Sequence, residues 1–380
     1  MEHIHIALVG GQAYPIYLAI KALQPTKVVL MHSVQSETDA NNIIKVLEEE
    51  GALMKEQFEK VCLSTAKMDD MVDKIVDQES IIPEGAHCSV NLTGGTKLWS
   101  VLLYKIFQNR SDTDFFYVDQ NCMLYNIDNL QKYESEVQLD ANTIFKLYGS
   151  PVKSYTRFEE YTEEDFDVIK RIESLRKFSV EAYNGVGNPM NRTDANKIRN
   201  QKTGFIQYQD SYAEWDKDAN RVEVSLYGRK GIHKSDILES PHAVQLFFSC
   251  HWFELKVARI LSKWKYAKQI LLNVEFPYKN NNPKNEIDIV VNTGKRLLFV
   301  ECKTQIEDMT NIDKFSKAVK NYSGMASKSL FISYVSGTKK SLLAQEKCEQ
   351  NDVMCFGLEH HSESDLFKML EQSLNELNKK

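Results

Sequence analysis

The 380-residue chain has no cysteine framework. Its seven cysteines (Cys62, Cys88, Cys122, Cys250, Cys302, Cys348 and Cys355) are odd in number, scattered and never in CxxC spacing. That pattern argues against disulfide staples and a cysteine zinc site, and for reduced thiols in a cytoplasmic protein. No apolar run approaches the length of a membrane span, so no membrane partner is expected. The start, "MEHIHIALVG", lacks a basic n-region and a cleavage site and reads as a first strand. There is no excess of positive charge either. A formal net charge of −6 argues against a whole-surface attraction to nucleic acid, while leaving room for a local basic groove. No internal repeat and no low-complexity tract is visible.

What is there is enough apolar material for real cores. At 42% hydrophobic and 26% charged, the chain is of globular composition, and its length suggests roughly two or three domains. Residues 1–128 alternate strand and helix patterns: strands at 3–10, 27–33, 60–64 and 88–94, each followed by a helix, then a hairpin from 114–119 and 122–128. Apolar strands alternating with helices imply a parallel, doubly wound sheet covered on both faces. Residues 131–240 read as a connector with a helix around 158–178 and a hairpin over 204–228, its turn in "DKDAN". From Ser240 the pattern changes to helix, three strands, helix, strand. Ser240 and Pro241 are expected to start one long helix over 241–264. The strands fall at 269–276, 286–291 and 296–303, the next helix at 311–323 and a strand at 328–334.

Two groups of residues carry chemistry. On a strand, residues two apart share a face, so Glu286 and Asp288 project together, as do Glu301 and Lys303. The turn "NTG" (292–294) folds one strand onto the other and brings the four charges to one patch. Three carboxylates packed together call for a cation, and oxygen donors suit Mg2+ or Mn2+. A lysine beside them can orient or help deprotonate an attacking water, or offset charge building on a phosphorane. The pattern E-x-D…E-C-K inside an αβββαβ core resembles the PD-(D/E)xK nuclease superfamily. The resemblance makes Asp288, Glu301 and Lys303 catalytic, with Glu286 in support and Glu254 supplied by the preceding helix. Asp288, Glu301 and Glu254 are then the metal ligands. The proline of the superfamily's name is missing before Asp288.

The second group is two glycine turns at strand ends, "VGGQAYP" (9–15) and "NLTGGTKLW" (91–99). In a doubly wound sheet both lie on the ligand-binding edge, where helix N-termini offer N–H groups to an anion. Neither is a Walker A loop or a G-x-G-x-x-G fingerprint. "NLTGGTK" and "LVGGQAYPIYLAI" resemble the fourth-strand and first-strand loops of CARF domains, the cyclic-oligoadenylate sensors of type III CRISPR antiviral systems. The resemblance implies a Rossmann-like CARF sensor over 1–130 and a restriction-endonuclease-like domain over 241–380. It also implies a homodimer that binds cyclic tetra-adenylate as activator and cuts DNA, single-stranded RNA or both. Gly10, Gly11, Gln12, Thr93, Gly94, Gly95, Thr96 and Lys97 become expected ligand contacts, with His32 and Ser33 weaker ones. The rival expectations are a ligand-responsive DNA-binding regulator and a nuclease not gated by such a ligand.

Three other features are read as structural. "DKDANR" (216–221) lacks the EF-hand glycine and is expected to be a turn. "GRKGIHK" (228–234) is a basic loop, and His360-His361 a surface pair.

Overall fold

The structure is a computed structural model and describes residues 2–119, 122–133, 140–188, 192–228, 231–248, 250–277, 283–294, 296–306, 308–323, 327–335 and 337–376. The N-terminal region runs β1 (His3–Val9), α1 (Ala13–Leu23), β2 (Lys27–His32), α2 (Glu37–Glu49), β3 (Phe58–Cys62), α3 (Met68–Ser80), β4 (His87–Asn91) and α4 (Lys97–Phe107). It closes with β5 (Thr113–Val118), β6 (Leu124–Asn126) and β7 (Lys132–Tyr133). The sheet order is β3-β2-β1-β4-β5-β6-β7, parallel from β3 to β5 and antiparallel beyond. After its first residue β1 is wholly buried, as a central strand covered by helices on both faces must be. The chain reverses direction across the sheet between β1 and β4, so the loops after those strands flank the crevice where such sheets bind ligands.

The segment from 140 to 240 is more than a linker. It contains α5 (Ala141–Leu147), β8 (Ser154–Arg157), α6 (Glu163–Phe178), α7 (Val180–Gly187) and α8 (Arg192–Asn200). The expected hairpin is part of a larger antiparallel sheet of β9 (Thr203–Tyr208), β10 (Ser211–Asp216), β11 (Arg221–Tyr227) and β12 (His233–Glu239), in the order β12-β11-β10-β9. "DKDAN" is the β10–β11 turn, in which the Asp216 carboxylate accepts from the Asp218 and Ala219 amides. Part of the basic loop 228–234, residues 229–230, lies outside the described residues.

One long helix was expected over 241–264; two are found, α9 (Ala243–Phe247) and α10 (His251–Ser262). Cys250 separates them with a left-handed backbone, φ 65°, which no helix interior accommodates. Nor does Ser240 cap the first: the residue before α9 is His242, whose amide donates to Asp165. The break matters because it aims the first turn of α10 at the site described below.

The C-terminal elements are β13 (Gln269–Pro277), β14 (Pro283–Asn292), β15 (Leu297–Lys303), α11 (Thr310–Ser323), β16 (Ser327–Ser333), α12 (Lys339–Gln350), β17 (Met354–Gly357) and α13 (Glu363–Glu376). From α10 to β16 this is the expected αβββαβ order. The sheet runs β17-β16-β15-β14-β13-β8, so β8 from the middle segment closes its edge. Two large clusters of buried side chains tie these parts together. One joins α6, α7, the four-stranded sheet and α10 to one face of the C-terminal sheet. The other runs from α1 and α2 through α5 to α11 on the opposite face.

Candidate functional site

The paired ladder between β14 and β15 ends at Ile289 opposite Val300. Beyond it, the Asp288 side chain takes over the strand's role: its Oδ2 accepts from the Cys302 amide at 2.7 Å. The strands therefore part where the acidic residues lie. On β15, Lys303 Nζ sits 2.6 Å from Glu301 Oε1 and 3.8 Å from Asp288 Oδ2, the same-face pairing that the two-residue spacing implies. In the first turn of α10, Glu254 accepts from His251 at 2.7 Å. The side chains of Asp288, Glu301 and Glu254 keep only 15%, 14% and 13% exposure.

The electrostatics are those of a site short of positive charge. Burial pushes the Asp288 carboxyl well above its ordinary range, and Glu254 and Glu301 push it further, overcoming Lys303 and the Cys302 amide. Glu286, the outermost member, is raised by burial and by Glu254. Lys303 and His251 are raised as well, which in a base favours the charged form. Burial works against their charge, but Asp288 and Glu301 hold the lysine firmly protonated, and Glu254 raises the histidine. A lysine so held is a fixed cation and not a resting base.

Oxygen donors crowded at the price of raised carboxyls are the right chemistry for a hard divalent cation. The spacing is looser: among the described residues no group of three or more His, Cys, Asp or Glu side chains is drawn in to hold an ion. Lys303 stands between Asp288 and Glu301 as the cation nearest to both.

Glu254, His251, Cys302 and Lys303 line a cleft of about 1110 Å3 to which α7, α8 and the β10–β11 turn also contribute. That contribution had no signal in the sequence beyond scattered polar residues, because only the fold brings 184–220 to a cleft shared with 251–305.

At the other expected site, the loops after β1 and β4 interlock. A Cβ on Gly94 would lie 1.8 Å from the Leu8 carbonyl oxygen. Gly95 has φ +68°, and a Cβ there would strike Trp99. Thr93 Oγ1 donates to Asn91 at 2.6 Å and accepts from the Val118 amide at 2.7 Å, while Thr96 caps α4 through the Trp99 amide. Gly11, Gly95, Thr96 and Lys97 are exposed at the rim, and Gly10 lies between the loops against Gly95. Gln12 Oε1 accepts from the Tyr148 hydroxyl at 3.1 Å. His32 and Ser33 are buried, with His32 Nδ1 2.9 Å from the Ser33 carbonyl oxygen and Ser33 bonded to Ser36. The structure brings the two glycine loops together and keeps His32 and Ser33 beneath them.

Residues 4–143 match the family model of the Card1 CARF domain. The N-terminal domain is a CARF domain. Comparison with curated proteins found no match. The whole fold is similar to that of protein VC1899 from Vibrio cholerae, with a TM-score of 0.73 at 13% identity over 99% of this chain and 98% of that one. It is also similar to Can2 from Sulfobacillus thermosulfidooxidans in complex with cyclic tetra-adenylate, at TM-score 0.63 and 16% identity over 98% and 99% of the two chains. A type III CRISPR defence DNA nuclease activated by cyclic oligoadenylate gives TM-score 0.55 and 17% identity, over 88% of this chain but 45% of that one. At such identities the likeness is one of fold. No helix among the described residues is long and apolar enough to cross a membrane.

Proposed function

We propose that the chain is a nuclease switched on by a cyclic oligoadenylate, most simply cyclic tetra-adenylate, in type III CRISPR defence. The observation that carries this reading is the pairing of Lys303 with Asp288 and Glu301 at the edge of a cleft that Lys303 and Glu254 line, in a chain that also bears a CARF domain. Asp288, Glu301 and Glu254, with Glu286 at the rim, would hold Mg2+ or Mn2+. The ion when bound supplies charge to polarise the scissile phosphate. Lys303, held protonated by its two carboxylates, orients the attacking water and offsets charge that builds on the phosphorane. Asp288 is fixed for its task by the Cys302 amide. DNA, single-stranded RNA or both are the substrates.

On the sensor, Gly10, Gly11 and the 93–97 loop bring backbone N–H groups and Lys97 to a ligand phosphate, with the α4 N-terminus behind them. A homodimer suits this site. Leu98, Val101 and Tyr104 stand 41%, 62% and 39% exposed along α4, directly after Lys97. Such a stripe fits an isologous contact, and a ring with internal two-fold symmetry fits the axis through it. The ligand can drive the nuclease only by binding its active arrangement more tightly than the resting one.

The test is cleavage of supercoiled plasmid and of labelled single-stranded RNA with Mn2+, with and without cyclic tetra-adenylate, beside the Glu301→Ala variant. Ligand-dependent cutting that the substitution abolishes is the expected result. Cutting indifferent to the ligand at saturating metal would sink the gating. Tight ligand binding with no cutting under any condition would favour a DNA-binding regulator, which the crowded carboxylates disfavour because they repel phosphates.

A further inference from the structure

The nuclease cleft is lined by groups of both charges. Glu254 and Lys303 line it, with Asp288 and Glu301 held on Lys303. Arg199 at the end of α8 and Lys217 in the β10–β11 turn line it too. Ala195, Ile198 and Arg199 all line the cleft, as residues three and four apart on one helix face do. Ile198 packs towards the core and so fixes that face. Among the described residues no ion pair engages Arg199 or Lys217. The Lys217 ammonium donates to the Arg199 carbonyl oxygen at 3.0 Å, which uses one of its three N–H groups and holds the turn against the helix. The nearby carboxylates are already engaged. Asp218 pairs with Lys202 at 2.9 Å, and Asp216 accepts amides of its own turn.

A polyanion entering an acidic site needs its charge met by cations that the carboxylates do not hold. We infer that Arg199 and Lys217 are phosphate contacts that hold a single strand of nucleic acid in the cleft that Lys303 also lines. The middle segment is thereby the substrate-gripping half of the nuclease. This rests on the nuclease reading above. The single-strand assignment follows from size: about 1110 Å3 is just above the usual range of small-molecule pockets, roughly 300–1,000 Å3, a volume that a few nucleotides fill. Arg199 offers a planar fork for one phosphate, and Lys217 a point charge for its neighbour.

The test measures binding without cutting. The full-length Glu301→Gln chain, with Mn2+ and cyclic tetra-adenylate present, is titrated with labelled single-stranded DNA, single-stranded RNA and duplex over a range of salt. Arg199→Gln and Lys217→Gln should each weaken single-strand binding about tenfold and lower the salt slope by about one. Arg199→Lys should recover most of the loss. Lys45→Gln removes the same charge from an exposed position on α2, outside the cleft, and should change nothing. In the cutting-competent chain the two cleft substitutions should raise KM and leave kcat near its parent value. Unchanged affinity and slope in the double variant, with the parent still binding, would overturn this inference alone. Duplex bound as tightly as single strand would overturn the single-strand assignment. A parent that neither binds nor cuts any nucleic acid would overturn the nuclease reading with it.

Discussion

The edge of the CARF sheet and the end of β14–β15 are both loop-and-strand-end sites, yet they are built on opposite electrostatic plans. At the CARF edge the polar side chains are already satisfied: Thr93 by Asn91 and Val118, Thr96 by the first turn of α4, Ser33 by Ser36. What it presents is backbone, shaped by glycines that cannot carry a side chain. At the β14–β15 end the side chains conflict, with Asp288 and Glu301 on Lys303, Glu254 close by and the Asp288 carboxyl driven well above its ordinary range. One surface has its polar groups paired. The other is short of positive charge.

The largest effect should come from relieving that conflict. Asp288→Asn keeps an acceptor for the Cys302 amide and removes a buried negative charge. Cutting should fall by at least about a hundredfold, while the melting temperature measured without metal rises. Mn2+ should raise the melting point of the parent and leave that of the variant where it is. A variant that melts lower than the parent without metal would show that the carboxylates are not in conflict.

Gly94→Ala tests the opposite plan. A methyl group 1.8 Å from the Leu8 carbonyl must push the loops apart, at about 1–3 kcal/mol. Isothermal titration should show ligand affinity down more than tenfold, with metal-dependent stabilisation intact. Equal loss of both would mean that the two sites are not separately built.

A pH scan sharpens the contrast in buried charge. His5, on β1 beside His3 and within 2.8 Å of Ser89 Oγ, is pushed down to about 3, first by burial and then by the His3 charge. The fold thus holds it neutral, whereas it titrates near 6.5 when unfolded. Stability from this group is present above pH 6.5 and is lost as pH falls towards 3, by up to about 1.4 kcal/mol per pH unit. Calorimetry of the parent against His5→Gln should show the slope flattened in the variant.

The smallest effect concerns the link between the sites. Tyr148→Phe removes the bond to Gln12 and should raise the ligand concentration for half-maximal cutting about threefold to tenfold, with cutting at saturation unchanged. An unmoved midpoint would show that this bond carries no part of the response.

Most of this architecture was legible in the sequence because its signals are local. Alternation placed β1 to α4 within a few residues, and the two-residue spacing of Glu301 and Lys303 gave their shared face. The turn at 292–294 foretold which acids would meet. The break at Cys250 was not legible: nothing in "FFSCHW" marks a left-handed residue, and the apolar run on both sides reads as one helix. Nor was the share of α8 and the β10–β11 turn in the cleft, since Arg199 and Lys217 acquire meaning only when the fold sets them in one cleft with His251, Glu254 and Lys303. The sequence also did not show that His32 and Ser33 would be buried, with His32 Nδ1 beside the Ser33 carbonyl and Ser33 bonded to Ser36.

Helix α5 has a bearing on how the molecule comes apart. Its Phe145 ring packs edge-on against Phe276 and Phe299 of the C-terminal sheet, at centroid distances of 5.0 and 6.0 Å. Its other side closes the same buried cluster against α1 and α2. Neither half therefore owns a complete interior: cut on either side of 141–147, each fragment keeps an apolar face that the helix used to cover. Heating should then give one heat-absorption peak in place of two, and the chain enters or leaves its folded state as a single unit.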